Sequence, residues 1–172
     1  MNVLPKWKVV FSIVVIAVLI TFLLTNIQLQ FRYVSPRKST DFNILFRYGV
    51  TARNELNTFN NTYTKDMIMD PPITIWLYLS DEELNQIKQM TMEIDFFDYP
   101  TTLPLSPAVC YPSVDYYLKV QNGSTIKEVT WSSNSEVNSL KQNLTQLANL
   151  ITGIVEQRPE YRELPPPNGV YC

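Results

Sequence analysis

The first hydrophobic feature of the chain is a long run without a charged residue, from Val9 to Phe31. Its densest part, Val9 to Leu24, is apolar on every helical face, whereas a helix of a soluble fold buries one stripe. At 1.5 Å per residue the run would form a helix of about 34 Å, enough to cross a hydrocarbon core of about 30 Å. The run predicts a transmembrane anchor over residues 9–31, with Trp7 at the membrane interface.

A cleaved signal peptide is the main alternative for this run. Such a peptide ends in small residues of the Ala-x-Ala type, but residues 24–30 read Leu-Thr-Asn-Ile-Gln-Leu-Gln. No Cys follows the run directly, which argues against a lipid-modified N-terminus. We therefore favour an uncleaved anchor.

Beyond the run, the spacing of apolar residues changes to a period of two. Ile44 to Val50 and Ile73 to Leu79 alternate in this way, as half-buried strands do. Residues 54–66 are rich in Thr and Asn and predict either one exposed strand or a hairpin that turns at Asn60-Asn61. The prolines in Asp70-Pro71-Pro72 predict a break between this segment and the next strand.

The strongest hairpin signal lies between Val114 and Trp131, around Asn122-Gly123. A two-residue turn at these positions would pair Leu118 with Lys127, and this pair sets the register of the whole hairpin. One face of this hairpin is largely apolar and the other largely polar, as a half-buried antiparallel sheet requires.

Two segments carry the start signal of a helix. Ser80 and Glu83 form a capping box, and the helix that follows should end before Pro100. Its predicted buried face comprises Leu84, Ile87, Ile94 and Phe97. A second capping box, Ser133 to Glu136, predicts a helix that ends before Pro159. Its apolar stripe comprises Val137, Leu140, Leu144, Leu147, Ile151 and Ile154 or Val155. The Pro-rich tail from Glu160 onward is predicted to be extended.

The order of these elements predicts an α+β fold. It consists of an N-terminal transmembrane helix followed by an antiparallel sheet of four to five strands, with two helices packed on one face. The predicted divisions are a short cytoplasmic N-terminus (1–8), the anchor (9–31), a juxtamembrane linker (32–41) and an extracytoplasmic α+β domain (42–172).

The two cysteines decide the predicted orientation, because the basic residues flanking the run nearly balance. These residues are Lys6 and Lys8 before it and Arg32, Arg37 and Lys38 after it. Cys110 and Cys172 are not arranged as a Cys-x-x-Cys pair. Outside the cytoplasm such a pair is expected to oxidise, and closing this loop would stabilise the fold by about 4 kcal/mol. We predict a Cys110–Cys172 disulfide and a domain outside the plasma membrane; two unrelated free thiols are the alternative.

Composition excludes several classes of function. The chain contains no His, so Ser-His and Cys-His nucleophile pairs and His-based zinc sites are ruled out. Of its 14 basic residues two precede the run, so residues 31–172 carry 12 basic and 16 acidic side chains, a net charge of −4. A nucleic-acid partner is therefore disfavoured. We predict no metal site and no cofactor.

Several stretches of the domain resemble a group of known proteins. They are Tyr48–Phe59 (YGVTARNELNTF), Thr62–Asp66 (TYTKD), Leu77–Leu84 (LYLSDEEL) and Ile94–Phe97 (IDFF). The stretches are similar to those of small uncharacterised extracytoplasmic proteins of Gram-positive, Bacillus-like bacteria, many of which look like lipoproteins. This chain departs from them in lacking a lipidation Cys. The resemblance implies the location and the fold, and it implies no activity.

Aromatic side chains on the predicted strands are the best candidates for contact with a ligand. Trp76, Tyr78 and Tyr117 lie opposite the aliphatic side of their strands, and exposed aromatic side chains suit recognition of a peptide or a glycan. Glu55 and Lys65 belong to the polar segment beside them. The alternative is that a second layer of the fold covers these rings.

An acidic cluster offers a different class of function. Glu93, Asp95 and Asp98 lie at the end of the first helix, and two carboxylates can serve as a general acid and base, as in glycoside hydrolysis. The preferred hypothesis is a membrane-tethered, non-enzymatic accessory or binding module whose partner is another envelope protein or a cell-wall ligand. A carboxylate-dependent hydrolase of the cell envelope is the alternative.

Overall fold

The computed structural model of the protein describes Val18, residues 41–108 and residues 110–171. The chain divides after Thr40 into two compact units, and the elements below belong to the second. The strands are β1 (Phe42–Val50), β2 (Asn54–Asn57), β3 (Thr62–Met67), β4 (Asp70–Trp76), β5 (Val114–Asn122) and β6 (Thr125–Ser132). The helices are α1 (Asp81–Glu93), α2 (Ser139–Gln157) and the short α3 (Pro159–Arg162), with a 3-10 turn at Phe96–Asp98.

All six strands form one antiparallel sheet in the order β4-β3-β2-β1-β5-β6. The predicted α+β class with an antiparallel sheet and two main helices is confirmed, but the sheet has six strands in the described residues rather than four or five. The extra strand comes from residues 54–66, which form the β2–β3 hairpin rather than a single strand. The predicted anchor, residues 9–31, lies outside the described residues apart from Val18.

The break predicted at Asp70-Pro71-Pro72 is wrong, because these residues form the start of β4. A strand tolerates Pro only where its N–H is not needed for pairing, and β4 is an edge strand of the sheet. A β-bulge between Lys65 and Met67 also relaxes the pairing next to the prolines.

The β5–β6 hairpin has a different register from the predicted one. Asn122 pairs with Thr125, so the turn residues are Gly123 and Ser124, and Leu118 pairs with Val129 rather than with Lys127. Gly123 has a φ of +60°, which fits a turn that takes Gly at its first central position. The observed register places apolar residues opposite apolar ones. Each β5 residue pairs with a β6 residue two positions further along the chain than predicted, so every side chain stays on its predicted face. For this reason the hydrophobic pattern did not reveal the error.

Helix α1 begins as predicted and ends early. Ser80 accepts a hydrogen bond from the Glu83 backbone, and the Glu83 carboxylate accepts one from the Ser80 backbone at 2.6 Å, so the capping box is confirmed. The helix ends at Glu93, where Asp95 adopts a left-handed φ of 53°. That change of direction buries Phe96 fully and leaves Phe97, which was predicted to be buried, only partly covered.

Helix α2 begins at Ser139, five residues later than a cap at Ser133 would place it, and Asn138 is its N-cap. The predicted capping box at Ser133 is wrong, since Ser133 accepts a hydrogen bond from Val114 and Ser135 accepts one from Ser132. These hydroxyls stabilise the turn after β6 instead of a helix end. Val137 is therefore exposed, whereas the stripe from Leu144 to Val155 is buried as predicted.

This helix start can be tested by two substitutions. The Asn138→Ala variant removes the side chain that accepts a hydrogen bond from Lys141 N at 2.9 Å and should lower the free energy of unfolding by about 1 kcal/mol. Glu136→Ala, at the last residue of the wrongly predicted box, should change it by less than about 0.5 kcal/mol. Urea unfolding of the two variants measures both values. A larger effect at Glu136 than at Asn138 would contradict the observed helix start.

The core lies on one face of the sheet. Its strand residues include Ile44, Phe46, Leu118 and Val129, and the same cluster contains the buried residues of α1 and α2. Phe46, at the centre, stacks near the rings of Tyr48, Tyr116 and Trp131, with ring centroids 5.2 to 6.4 Å away. Burial of these aromatic and aliphatic groups is the main source of stability of the fold.

The C-terminal tail was predicted to be extended from Glu160 onward, but its first residues are helical. Residues Pro159–Arg162 form α3, with Pro at the first position, where its missing N–H is not needed. Beyond it, the backbone of Asn168 exchanges hydrogen bonds with Met67 and Met69, so the tail runs along the bulge at the end of β3.

Candidate functional site

The second face of the sheet contributes nothing to the core cluster, and we call it the open face. Strand pairing places its side chains in two rows across all six strands. One row comprises Trp76, Thr62, Asn57, Leu45, Lys119 and Glu128. The other comprises Thr74, Thr64, Glu55, Arg47, Tyr117 and Thr130. Three residues predicted as binding candidates, Glu55, Trp76 and Tyr117, therefore share this face.

The most exposed aromatic groups of the open face are at its β4 edge. Trp76 is 67% exposed and Tyr78, two residues further on, is 52% exposed. Their rings are nearly parallel, 19° between planes, with centroids 6.4 Å apart. Large apolar side chains rarely remain this exposed in pairs, and such pairs are typical of contact sites.

The four charged residues of these two rows neutralise one another. Arg47 Nε lies 2.7 Å from Glu55 Oε2, and its guanidinium carbon lies 5.8 Å from the centroid of the Tyr117 ring. Lys119 Nζ lies 3.1 Å from Glu128 Oε1. The hydrogen bond from Lys119 lowers the pKa of the Glu128 carboxyl, while partial burial, followed by the neighbouring Glu128, raises the pKa of Tyr117. The two rows therefore present aromatic rings and paired charges that sum to zero.

Lys65, the fifth predicted binding residue, lies on the other side of the sheet. It is 8% exposed, donates a hydrogen bond to the Pro165 carbonyl at 2.9 Å, and lies 5.0 Å from the centroid of the Tyr161 ring. It cannot act together with the open-face residues. It lines a separate cavity of about 240 Å³.

We call this cavity the tyrosine pocket. Its walls are formed by Tyr48, Val50, Asn54, Lys65, Asp66, Ile68, Glu156, Tyr161, Pro167 and Tyr171. Asn54 connects the strands around it, because its amide donates to the Tyr48 carbonyl at 3.2 Å and accepts from Asp66 N at 3.0 Å. A side chain at Gly49, whose φ is +101°, would approach the Asn54 amide to 2.7 Å, so Gly is required beside it.

One wall of the tyrosine pocket is strained. Ile68 has a φ of 65°, which is unfavourable for a β-branched residue and costs about 1–3 kcal/mol. The Asp66 carboxylate holds this conformation by accepting from Ile68 N at 3.0 Å, and its other oxygen accepts from the Tyr171 hydroxyl. Backbone strain of this kind concentrates at ligand-binding segments.

Two phenols, Tyr48 in the pocket wall and Tyr63 beside it, remain neutral over a wide range of pH. The hydroxyl oxygens of Tyr48 and Tyr63 are 2.8 Å apart. Burial raises the pKa of Tyr48 to about 12 and, together with the neighbouring Tyr48, raises that of Tyr63 above its usual range. They act as neutral hydrogen-bonding groups rather than as anions.

This burial predicts a loss of stability in alkali. A free Tyr ionises near pH 10, so between about pH 10 and 12 the unfolded chain releases the Tyr48 proton while the folded chain retains it. Stability from this group is complete below pH 10 and should fall by about 2 kcal/mol by pH 12. Tyr48→Phe should make the free energy of unfolding fall less steeply over this range. Urea unfolding at several pH values measures it. Tyr111→Phe is the matched control because Tyr111 is 84% exposed, and an equal change of slope in both variants would contradict the prediction.

The acidic cluster does not form a cleft. Glu93, Asp95 and Asp98 are all exposed, and Glu93 accepts a hydrogen bond from the neighbouring Gln89 at 2.8 Å. The tyrosine pocket and a second cavity of about 360 Å³ between α1 and α2 are lined by other residues. Among the residues that the structure describes, no group of three or more acidic or Cys side chains could hold a metal ion.

The predicted disulfide cannot be located in full. Cys110 is exposed, and its backbone is held by two hydrogen bonds with the Asn134 side chain, at 2.9 and 2.7 Å. Cys172 lies outside the described residues, so the Cys110–Cys172 bond stays a prediction.

Sequence reasoning missed most of the tyrosine pocket. Its residues come from four separate segments, 48–54, 65–68, 156–161 and 167–171, and no spacing in the sequence connects them. Lys65 is the one pocket residue among the binding candidates predicted from the sequence. The surplus of Tyr, ten residues, was the one compositional signal that could have pointed to it.

Comparisons with known proteins do not assign the chain to a group. No family model matches it, and no curated protein matches it. In the described part of the chain, none of the helices combines the length and apolar character that crossing a bilayer requires.

Proposed function

We propose that this protein is a non-enzymatic binding module of the cell envelope. In this proposal residues 9–31 form a transmembrane helix, the α+β domain lies outside the cytoplasm, and the open face of the sheet contacts another envelope protein. The observation that carries the proposal is the exposed Trp76–Tyr78 pair on a sheet face that takes no part in the core.

A protein partner fits the composition of the open face. Trp, Tyr and Arg are the residue types that most often dominate binding energy at protein interfaces, and Trp76, Tyr117 and Arg47 all lie on it. Because Arg47 and Lys119 are already paired with carboxylates, a partner need not supply opposite charges. A face that spans six strands also offers the broad contact area that protein interfaces need.

The sequence supports the proposed location. The uncharged run from Val9 to Phe31 has the length of a membrane span, and the Cys110 and Cys172 pair is expected to oxidise only outside the cytoplasm. The resemblance to extracytoplasmic proteins of Gram-positive bacteria agrees with both. An alkylating reagent that cannot cross membranes tests this location: in intact cells Cys110 should react only after reduction. Reaction only in broken cells, without a reductant, would place the domain in the cytoplasm.

Photo-crosslinking in intact cells tests the proposed contact. A benzoylphenylalanine at Thr74, an exposed open-face position beside Trp76, should give one dominant crosslinked protein of defined mass. The same group at Asn85, exposed on α1, is the matched control and should give none. Crosslinking to wall polymer instead of protein, or equal yields at the two positions, would contradict the proposed partner.

A further inference from the structure

A second binding feature, independent of the open face, is the buried ammonium group of Lys65. Its side chain is 8% exposed and lines the tyrosine pocket, a cavity of about 240 Å³. An ammonium group has three N–H donors. One is used by the Pro165 carbonyl at 2.9 Å, and the Tyr161 ring, 5.0 Å away, offers only its π face.

The nearby carboxylates make no direct ion pair with this group. None of the ion pairs among the described residues includes Lys65. Asp66 follows it in the chain, but its two oxygens accept hydrogen bonds from Ile68 N and the Tyr171 hydroxyl. Glu156 lines the same pocket and is exposed to solvent. A buried charge without an ionic partner is costly, so this group should favour an incoming anion.

The rest of the pocket matches a small ligand with a carboxylate. The Tyr161 hydroxyl forms no hydrogen bond within the described residues. The ring that carries it lies beside Lys65. A carboxylate has two oxygens and can accept from both groups at once. The phenol rings of Tyr48, Tyr161 and Tyr171 form apolar walls around it. Ile68 belongs to the same wall, and its backbone is held there by the Asp66 carboxylate.

We propose that the tyrosine pocket is a binding site for a small carboxylate-bearing ligand, whose carboxylate pairs with Lys65 and accepts a hydrogen bond from Tyr161. The size of the cavity limits the ligand to a small molecule or the end of a chain. The site shares no residue with the open face, so a failure of one proposal does not contradict the other.

Acetate is the simplest probe, and acetamide, with the same shape and no charge, is its matched control. Each is titrated into the isotope-labelled full chain in detergent micelles at constant ionic strength, and the backbone amide signals of residues 65–68 and 161 are followed by NMR. We expect saturable shifts with acetate at millimolar concentrations and none with acetamide. Equal responses to the two probes, or no saturable response to acetate, would overturn the proposal.

Three variants assign the binding to the named groups. Lys65→Met keeps the apolar stem and should abolish saturation by acetate. Tyr161→Phe removes only a hydroxyl and should weaken binding about threefold to tenfold, which keeps the test decisive if the Lys65 variant fails to fold. Glu156→Gln removes a negative charge from the pocket wall and should strengthen binding. Unchanged affinity in folded Lys65→Met, or weaker binding in Glu156→Gln, would contradict a carboxylate at this position.

Discussion

Replacing Phe46 by Ala should lower the free energy of unfolding by about 3–5 kcal/mol, the usual cost of truncating a buried Phe. Phe46 is 0% exposed at the centre of β1, where it contacts the rings of Tyr48, Tyr116 and Trp131. The cavity left behind would be bordered by rigid rings that cannot collapse into it, so we expect a value in the upper part of this range. A domain of this size has about 5–15 kcal/mol in total, so a substantial fraction of the molecules would unfold on mild heating.

Urea unfolding followed by near-ultraviolet circular dichroism measures this loss. Phe59→Ala is the matched control, because Phe59 lies in the β2–β3 loop and is 39% exposed, and it should cost less than about 1 kcal/mol. A cost at Phe46 no larger than that at Phe59 would show that the sheet is not packed around Phe46.

Removing the exposed aromatic pair should have the largest effect on binding. In the double variant Trp76→Ala, Tyr78→Ala, we expect the yield of the crosslink from Thr74 to fall more than tenfold. Loss of an aromatic anchor at an interface costs about 2 kcal/mol or more, which is close to a thirtyfold change in affinity. Because both side chains are exposed, stability should change by less than about 1 kcal/mol.

The control for this double variant is Tyr111→Ala, which removes another exposed ring, in the loop before β5, a strand that is not a neighbour of β4 in the sheet. It should leave the crosslink yield unchanged. Equal losses in the two variants would mean that the crosslink does not depend on the Trp76–Tyr78 pair. An undiminished yield in the double variant would place the contact elsewhere on the face.

The sequence predicted the fold correctly wherever a local pattern is compatible with a single local structure. The alternation of apolar residues placed β1, β5 and β6 with the correct faces, since a residue's face depends only on the period of two. The capping box at Ser80 marked the start of α1, because its hydroxyl accepts from Glu83 N at 3.2 Å as the motif requires. At Ser133 the same motif was misleading, because the turn after β6 uses that hydroxyl and its neighbours.

Features that depend on distant partners could not be predicted. Pro71 and Pro72 are allowed in β4 only because that strand is at the edge of the sheet, and strand order is not encoded by local pattern. For the same reason Glu55 and Lys65 look equivalent in one polar segment, yet they lie on opposite sides of the sheet. The Lys65 environment exists only once the tail, with Pro165 and Tyr161, returns to β3.

One measurement tests the central claim, that the open face meets a partner outside the membrane. Single Cys residues are introduced at Thr74 and, as a control, at Asn85, and a membrane-impermeant maleimide is applied to intact cells and to the purified full chain. Mass spectrometry of peptides reads each thiol separately, including Cys110 and Cys172. We predict that the thiol at position 74 reacts more slowly in cells than in the purified protein, whereas the thiol at position 85 reacts equally in both. Equal rates at position 74 in both samples, or labelling at both positions only after the cells are broken, would contradict the account.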